Sequence, residues 1–147
     1  MDYSLWKKSW SIWRAIPLVV ADYARWRVLL ASMSTILETF PNPAPQRNFV
    51  IHHTCPEFTS VCPKTGLPDF ATIDLEYIPG DTCIELKSLK FYYHSFRDQG
   101  IFYEAVTNRL LDELADCCAP RWMRVTGTFA VRGGISSVIT VETGPRP

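Results

Sequence analysis

Cysteine pairs with the C-x-x-C spacing of a zinc site are absent from this 147-residue sequence. Its cysteines are odd in number and lie at positions 55, 62, 83, 117 and 118, with no C-x-x-C among them. A disulfide framework normally uses an even set in a secreted chain, and a structural zinc site draws its ligands from close-spaced pairs. His52 and His53 are adjacent, so in a strand they would point to opposite faces. We therefore expect free thiols in a cytoplasmic protein, and no metal site.

Glycine-rich phosphate loops are also absent, because neither G-x-G-x-x-G nor a P-loop occurs in the chain. Any nucleotide cofactor is therefore not held in the Rossmann manner. The formal net charge is zero, so the overall balance points to no nucleic-acid partner. The longest apolar run, residues 15–21, is too short to cross a bilayer. The chain is nevertheless 47% hydrophobic and 13% aromatic, which predicts one folded domain.

The first 32 residues differ in composition from the rest of the chain. They hold four of the five tryptophans, with five basic and two acidic residues. Two interpretations stay open: an amphipathic helix that lies on a membrane or a partner subunit, or an extension upstream of a physiological start at Met33. The break in composition favours the second. It leaves residues 33–147 as the functional domain, with no membrane association expected.

Strands are predicted first after Met33. Residues 48–54 and 70–78 alternate between apolar and polar side chains, as strands with one buried face do. A Pro-Gly-Asp turn at 79–81 predicts that the next strand, 82–86, runs antiparallel to 70–78.

The pattern then changes to a helical one and back. Apolar residues recur with helical spacing through 101–118, and Pro120 ends the helix. From Trp122 the period is two again, with Val131 in step, and the turn at 132–134 predicts a hairpin with 135–142. This order predicts an α+β fold in which helices cover one face of an antiparallel sheet.

Cys62 and Asp69 flank a stiffened turn that contains Pro63, Gly66 and Pro68. A thiolate is the strongest side-chain nucleophile near neutral pH and needs a neighbouring proton donor or acceptor. Asp69 could fill that role if the turn curls back. The plainer alternatives are a buried cysteine that acts as a small hydrophobe and an aspartate that caps a turn.

Lys87 and Lys90 would point to opposite faces of a strand but would share one face of a helix. Two lysines on one face near a helix start could bind phosphate, although a solvated surface explains them as well. Glu104 lies among aromatic residues and is either a favourable first-turn charge or a recognition group for a guanine-like base. Arg132 precedes two glycines that would let the backbone approach a ligand, or it is an ordinary turn residue.

Three stretches of the chain together resemble one family. They are CPEFTSVCPKTGLPDFA from residue 55, ELKSLKFYYHSFRDQGIFYE from residue 85 and VRGGI from residue 131. In order and spacing they are similar to the single-module form of the NADPH-dependent 7-cyano-7-deazaguanine reductases (QueF type) of queuosine biosynthesis, a tRNA modification. The likeness runs from about Leu37 to the C-terminus.

The resemblance implies a tunnelling fold, a ββααββ unit with a four-stranded antiparallel sheet and two helices, which associates into barrels. Single-module members form pentamers that stack into decamers, with active sites between subunits. By the same resemblance, Cys62 attacks the nitrile carbon of the 7-deazapurine substrate to give a thioimide. Asp69 then donates a proton to the nitrile nitrogen, and two NADPH molecules deliver hydrides.

The resemblance also assigns the remaining site residues. Glu104, Glu85 and Tyr103 fit substrate-binding positions, and Lys87, Lys90 and Arg132 fit positions associated with NADPH. The chain departs from the pattern at Leu67, where Gln is expected, and at Tyr103, where many members have His.

Two alternative functions remain: a different enzyme of the same fold, and a protein that is not an enzyme. A GTP cyclohydrolase I-like enzyme of the same fold would need a zinc site, for which the cysteine and histidine spacing is wrong. A non-catalytic module that binds purines, or that is tethered to a membrane through the N-terminal helix, would not need both Cys62 and Asp69.

Overall fold

Alternating side chains build the central sheet. The computed structural model describes residues 36–146, so the predictions for residues 1–32 and for a start at Met33 lie outside the described residues. The elements, in chain order, are β1 Thr39–Pro41, β2 Ile51–Val61, β3 Pro68–Ile78, β4 Thr82–Ile84, α1 Leu86–His94, α2 Tyr103–Cys118, β5 Trp122–Arg132 and β6 Ile135–Glu142.

The larger sheet has the strand order β2-β3-β5-β6, and every neighbouring pair is antiparallel. On β3, the side chains of Ile73, Leu75 and Tyr77 are fully buried, whereas those between them on the other face are partly exposed. Both helices supply core residues to this buried face. The predicted α+β fold, with two helices on one face of a four-stranded antiparallel sheet, is confirmed.

Both helices have local reasons to begin and end where they do. Glu85 caps α1, because its carboxylate accepts hydrogen bonds from the backbone N–H groups of Lys87 (2.8 Å) and Ser88 (2.6 Å). The helical interpretation of Lys87 and Lys90 is therefore the correct one. Helix α2 begins at Tyr103, two residues later than predicted, and ends where Ala119 takes a left-handed conformation before Pro120.

Two strand predictions were wrong in detail. Strand β2 begins at Ile51 and continues to Val61, through a bulge between Cys55 and Phe58. Strand β4 pairs with β1 and not with β3. The reason is that β2 and β5 already occupy both edges of β3, so the chain turns away at Gly80. There Asn42 Nδ2 donates to the Gly80 carbonyl at 2.7 Å.

Val131 was predicted to lie in step with the buried residues of β5, but its side chain is exposed. The register between β5 and β6 shifts between Phe129 and Arg132, which turns Val131 out of the buried row.

The connection between the helices is attached to the end of β2. The Val61 N–H donates to the Gln99 carbonyl (2.9 Å), and the Ile101 N–H donates to the Val61 carbonyl (3.0 Å). Arg109 of α2 holds the same connection through Gln99 Oε1 at 3.0 Å. The chain is thereby fixed to Val61, the residue before Cys62, two residues before α2 begins. No helix within residues 36–146 is long and apolar enough to cross a membrane.

Candidate active site

The turn between β2 and β3 brings Cys62 back beside Asp69. The Cys62 N–H donates to the Leu67 carbonyl, and the Gly66 N–H donates to the Cys62 carbonyl, both at 2.9 Å. Gly66 takes a φ of 70°, a conformation that glycine adopts at little cost. The chain then enters β3, where Asp69 lies opposite Ser60 of β2. Cys62 and Asp69 line the same cleft as a result.

Hydrogen bonds lower the pKa of the Cys62 thiol to about 7. The largest cause is the Thr65 side chain, followed by the Arg132 side chain and by the backbone of Lys64 and Thr65. Each of these interactions favours the thiolate over the thiol. A large share of Cys62 is therefore in its nucleophilic form near neutral pH.

Asp69 is almost completely buried, with 2% of its side chain exposed, and its carboxylate is held from two other elements. Arg132 at the end of β5 places Nη1 2.9 Å from Asp69 Oδ1. Tyr103, the first residue of α2, donates its hydroxyl hydrogen to the same oxygen at 2.7 Å. The carboxyl group thus has a defined orientation within the cleft.

Tyr103 is itself held by an aromatic contact. Its ring stacks on Phe129 of β5, with 3.9 Å between the centroids and 12° between the planes. Burial is the largest cause that raises the pKa of the Tyr103 hydroxyl, and the hydrogen bond with Asp69 adds to it. Tyr103 therefore remains a hydrogen-bond donor at neutral pH.

The cleft has a volume of about 270 Å³ and contains five of the predicted site residues. They are Cys62, Asp69, Tyr103, Glu104 and Arg132. Glu104 is exposed in the first turn of α2, and the apolar part of the wall includes Ile101 and Phe102. The cleft thus combines a nucleophile, a buried carboxyl group, a cation and an exposed carboxylate.

The other three predicted site residues line a separate groove between α1 and β2, with a volume of about 640 Å³. They are Glu85, Lys87 and Lys90. Backbone hydrogen bonds, that of Lys87 first, lower the pKa of the Glu85 carboxyl. His94 and Arg97 lie in the same groove, and no lining residue is shared with the Cys62 cleft. Within residues 36–146, no three His, Cys, Asp or Glu side chains converge to hold a metal ion.

Comparisons with known proteins agree on one family. A family model described as QueF-like protein matches residues 68–147. The chain belongs to the QueF-like family.

Two curated relatives of this QueF-like chain are named NADPH-dependent 7-cyano-7-deazaguanine reductase. The relative from Anaeromyxobacter dehalogenans is 62% identical over 111 residues, which cover 76% of this chain and 91% of the relative. The relative from Alkalilimnicola ehrlichii is 60% identical over 106 residues, which cover 72% of this chain and 82% of the relative. The family predicted from the three sequence stretches is confirmed.

A solved structure has a similar fold. The crystal structure of the archaeosine synthase QueF-Like in the apo form has a TM-score of 0.62 and covers 67% of this chain and 96% of its own. The sequence identity is 23%, so this likeness concerns the fold alone. It confirms the fold predicted for this QueF-like chain.

Sequence reasoning missed two residues that contact side chains of the cleft in this QueF-like chain. Thr65 contacts the Cys62 thiol and is the largest cause of its lowered pKa. Its position in the Pro-Lys-Thr-Gly turn, three residues after the cysteine, was a usable signal. Phe129 stacks on Tyr103, but its place in an alternating strand marks it only as a core residue.

Proposed function

We propose that this chain reduces the nitrile of 7-cyano-7-deazaguanine to the primary amine with NADPH, as a step of queuosine biosynthesis. The observation that carries the proposal is the Cys62 thiol, with a pKa of about 7, in one cleft with the buried Asp69 carboxyl. The names of the curated relatives supply the substrate and the cofactor. We place the reaction in the cytoplasm, because a free nucleophilic thiol persists in a reducing compartment.

The first step forms a covalent bond to Cys62. The thiolate attacks the electrophilic nitrile carbon, and the electron pair of one carbon–nitrogen π bond moves to nitrogen. Asp69 passes to this nitrogen the proton that the Cys62 thiol loses, so the product is a neutral thioimide and the carboxylate is restored. The closed turn that carries Cys62 and the two contacts that orient the Asp69 carboxyl group support this division of roles.

The deazaguanine ring needs a group that reads its amine and ring N–H. Glu104 suits this, because a carboxylate accepts two hydrogen bonds side by side and its side chain lines the cleft next to Cys62. Tyr103 and Glu85 are the further substrate contacts that we propose. Glu85 lies in the other groove, so it would reach the substrate of a neighbouring copy.

The groove along α1 fits NADPH in size and charge. Ligand sites commonly have volumes of about 300–1,000 Å³, and this groove measures about 640 Å³. Lys87 and Lys90 are both exposed on its wall and would hold the phosphate groups. Arg132, the third proposed cation, lines the Cys62 cleft and would reach the NADPH of a neighbouring copy. When bound, NADPH would supply hydride to the former nitrile carbon, twice for each amine formed. The carbon–sulfur bond breaks between the two transfers, and Cys62 leaves as the thiolate.

A complete site would need a second copy of the chain. The proposed catalytic residues, Cys62 and Asp69, line one cleft. The lysines proposed to bind NADPH line another, and the two clefts share no lining residue. Strands β2 and β6 are the edges of the larger sheet, and β6 exposes Ile135 and Val138. These features support side-by-side association into a barrel, with a decamer of two pentamers as the proposed assembly. Sedimentation analysis of the purified protein tests it, and a monomer at assay concentration contradicts it.

The proposed function is tested by following NADPH oxidation with and without the nitrile. The measured quantity is the loss of the near-ultraviolet absorbance of the reduced nicotinamide. We expect oxidation that depends on the nitrile, with about two NADPH consumed for each amine formed. Mass spectrometry of the protein with the nitrile alone should show one adduct on the peptide that contains Cys62. Absence of both signals would leave this chain without the proposed activity.

A further inference from the structure

Tyr103 contacts the proposed proton donor more closely than any other side chain described around it. Its hydroxyl lies 2.7 Å from Asp69 Oδ1, compared with 2.9 Å for Arg132 Nη1. Both donors meet the same carboxylate oxygen. Within residues 36–146, the two side-chain contacts described for this carboxylate are both on Oδ1.

The position of the Tyr103 hydroxyl is determined from two sides. Its backbone begins α2, and its carbonyl accepts a hydrogen bond from Thr107 Oγ1 at 2.8 Å. Its ring stacks on Phe129, which is itself 2% exposed. The backbone and the ring thus both hold the hydroxyl beside Asp69.

Because Tyr103 and Arg132 both contact Asp69 Oδ1, Oδ2 is the oxygen that remains for proton transfer. They hold the carboxyl plane in place and leave Oδ2 to deliver a proton to a reacting nitrogen. Proton transfer requires heavy atoms at hydrogen-bond distance, and a misplacement of about 1 Å can cost about a hundredfold in rate.

We infer that Tyr103 is a positioning residue for Asp69, whose hydroxyl aims the carboxyl group at the nitrile nitrogen. This assignment rests on the proposed function. It gives Tyr103 a role through another residue, in addition to the contact with the substrate ring that the sequence suggests.

The experiment compares two matched substitutions. Tyr103→Phe removes the hydroxyl and keeps the ring that stacks on Phe129. The control is Tyr92→Phe, because the Tyr92 hydroxyl also donates to a carboxylate at 2.7 Å, that of Glu113, but lines neither cleft. Each protein is mixed with the nitrile alone, and the rate of thioimide formation on Cys62 and the affinity for the nitrile are measured.

We expect Tyr103→Phe to slow thioimide formation about 10- to 100-fold, a part of what a general acid contributes. Nitrile affinity should stay within about twofold, since phenylalanine keeps the ring that would contact the substrate, and the lost hydroxyl acts on a chemical step. Tyr92→Phe should leave the rate within about twofold of wild type. Phe129→Leu should slow the reaction in the same direction, because it removes the stack that holds the Tyr103 ring.

A double-mutant cycle with Asp69→Asn separates positioning from a general structural role. If Tyr103 acts through Asp69, its substitution in the Asp69→Asn background should cost less than about twofold, since no carboxyl proton remains to be aimed. Additive losses would overturn the assignment, as would a lower nitrile affinity at an unchanged rate of thioimide formation. A wild-type chain that forms no adduct would overturn the proposed function and this assignment with it.

Discussion

The Cys62 cleft and the α1 groove differ in whether their charged side chains contact one another. In the cleft, the charged groups contact each other: Arg132 bonds to Asp69, and both Arg132 and Thr65 contact the thiol. In the groove, Lys87 and Lys90 are exposed and form no ion pair among the described residues. Internal contacts arrange the cleft before any ligand arrives, whereas the cations of the groove remain available to an anionic ligand.

This difference separates the expected effects of substitution. Changes in the cleft should alter bond formation with the nitrile alone, because the reacting groups are there. Changes in the groove should alter the dependence on NADPH and spare the adduct. The predictions below test that separation, from the largest expected effect to the smallest.

Cys62→Ala should abolish both the covalent adduct and turnover, because alanine has no nucleophile. The other cysteines are the matched controls. Burial raises the pKa of the thiols of Cys83 and Cys117, and it raises that of Cys118 to about 12. Alanine at any of the four other cysteine positions should leave adduct formation intact. An adduct mass on a peptide without Cys62 would contradict the mechanism.

Asp69→Asn should slow thioimide formation by about 10²–10⁴-fold, since asparagine keeps the shape but has no carboxyl proton to donate. Asp74→Asn is the control, because Asp74 lies on the same strand, bonds to His52 and Thr54, and lines neither cleft. Single-turnover kinetics with the nitrile alone measure both. If Asp69→Asn forms the thioimide at a rate within about threefold of wild type, the Asp69 carboxyl group has only a structural role.

Lys90→Ala should raise the apparent KM for NADPH about 10- to 150-fold, because one charge-assisted contact contributes about 1.5–3 kcal/mol. The adduct with the nitrile should still form at the wild-type rate. Arg146→Ala, which removes an exposed cation that lies over Trp122, is the control and should change neither quantity. An unchanged KM for NADPH, or loss of the adduct, would contradict the assignment of the groove to NADPH and of the cleft to the reaction with the nitrile.

Thr65→Val should raise the pKa of the Cys62 thiol, since the Thr65 side chain is the largest cause of its lowering to about 7. The thiolate fraction grows as pH rises through the pKa, so the midpoint of Cys62 alkylation by iodoacetamide should move to higher pH. At neutral pH the alkylation rate should fall about two- to fivefold. Thr128→Val, on the exposed face of β5, should leave the midpoint where it is. Site-resolved mass spectrometry across a pH series provides the measurement.

A chain that begins at Met33 should assemble and reduce the nitrile at the wild-type rate. The family match and the residues of both clefts lie after this position. Sedimentation and NADPH oxidation compare the two lengths of chain. Loss of assembly in the shorter chain would show that residues 1–32 belong to the native interface.

Local pattern was a good guide wherever an element has one buried face. The alternation in β3 and the apolar stripe of α2 predicted both elements to within two residues at each end. Pattern failed where pairing depended on another part of the chain. Strand β4 looked like a partner for β3, and only the occupied edges of β3 send it to β1.

The sequence by itself determined the family, strand β3, helix α2 and the β5–β6 hairpin, and it joined Cys62 to Asp69 through a short turn with Gly66. The backbone hydrogen bonds that close this turn were seen only in the structure. Only the tertiary structure decided what contacts Asp69. Tyr103 and Arg132 are 34 and 63 positions further along the chain and come from α2 and β5. Their meeting at one carboxylate oxygen depends on how α2 lies on the sheet and on the register of β5, and neither is encoded in a local pattern.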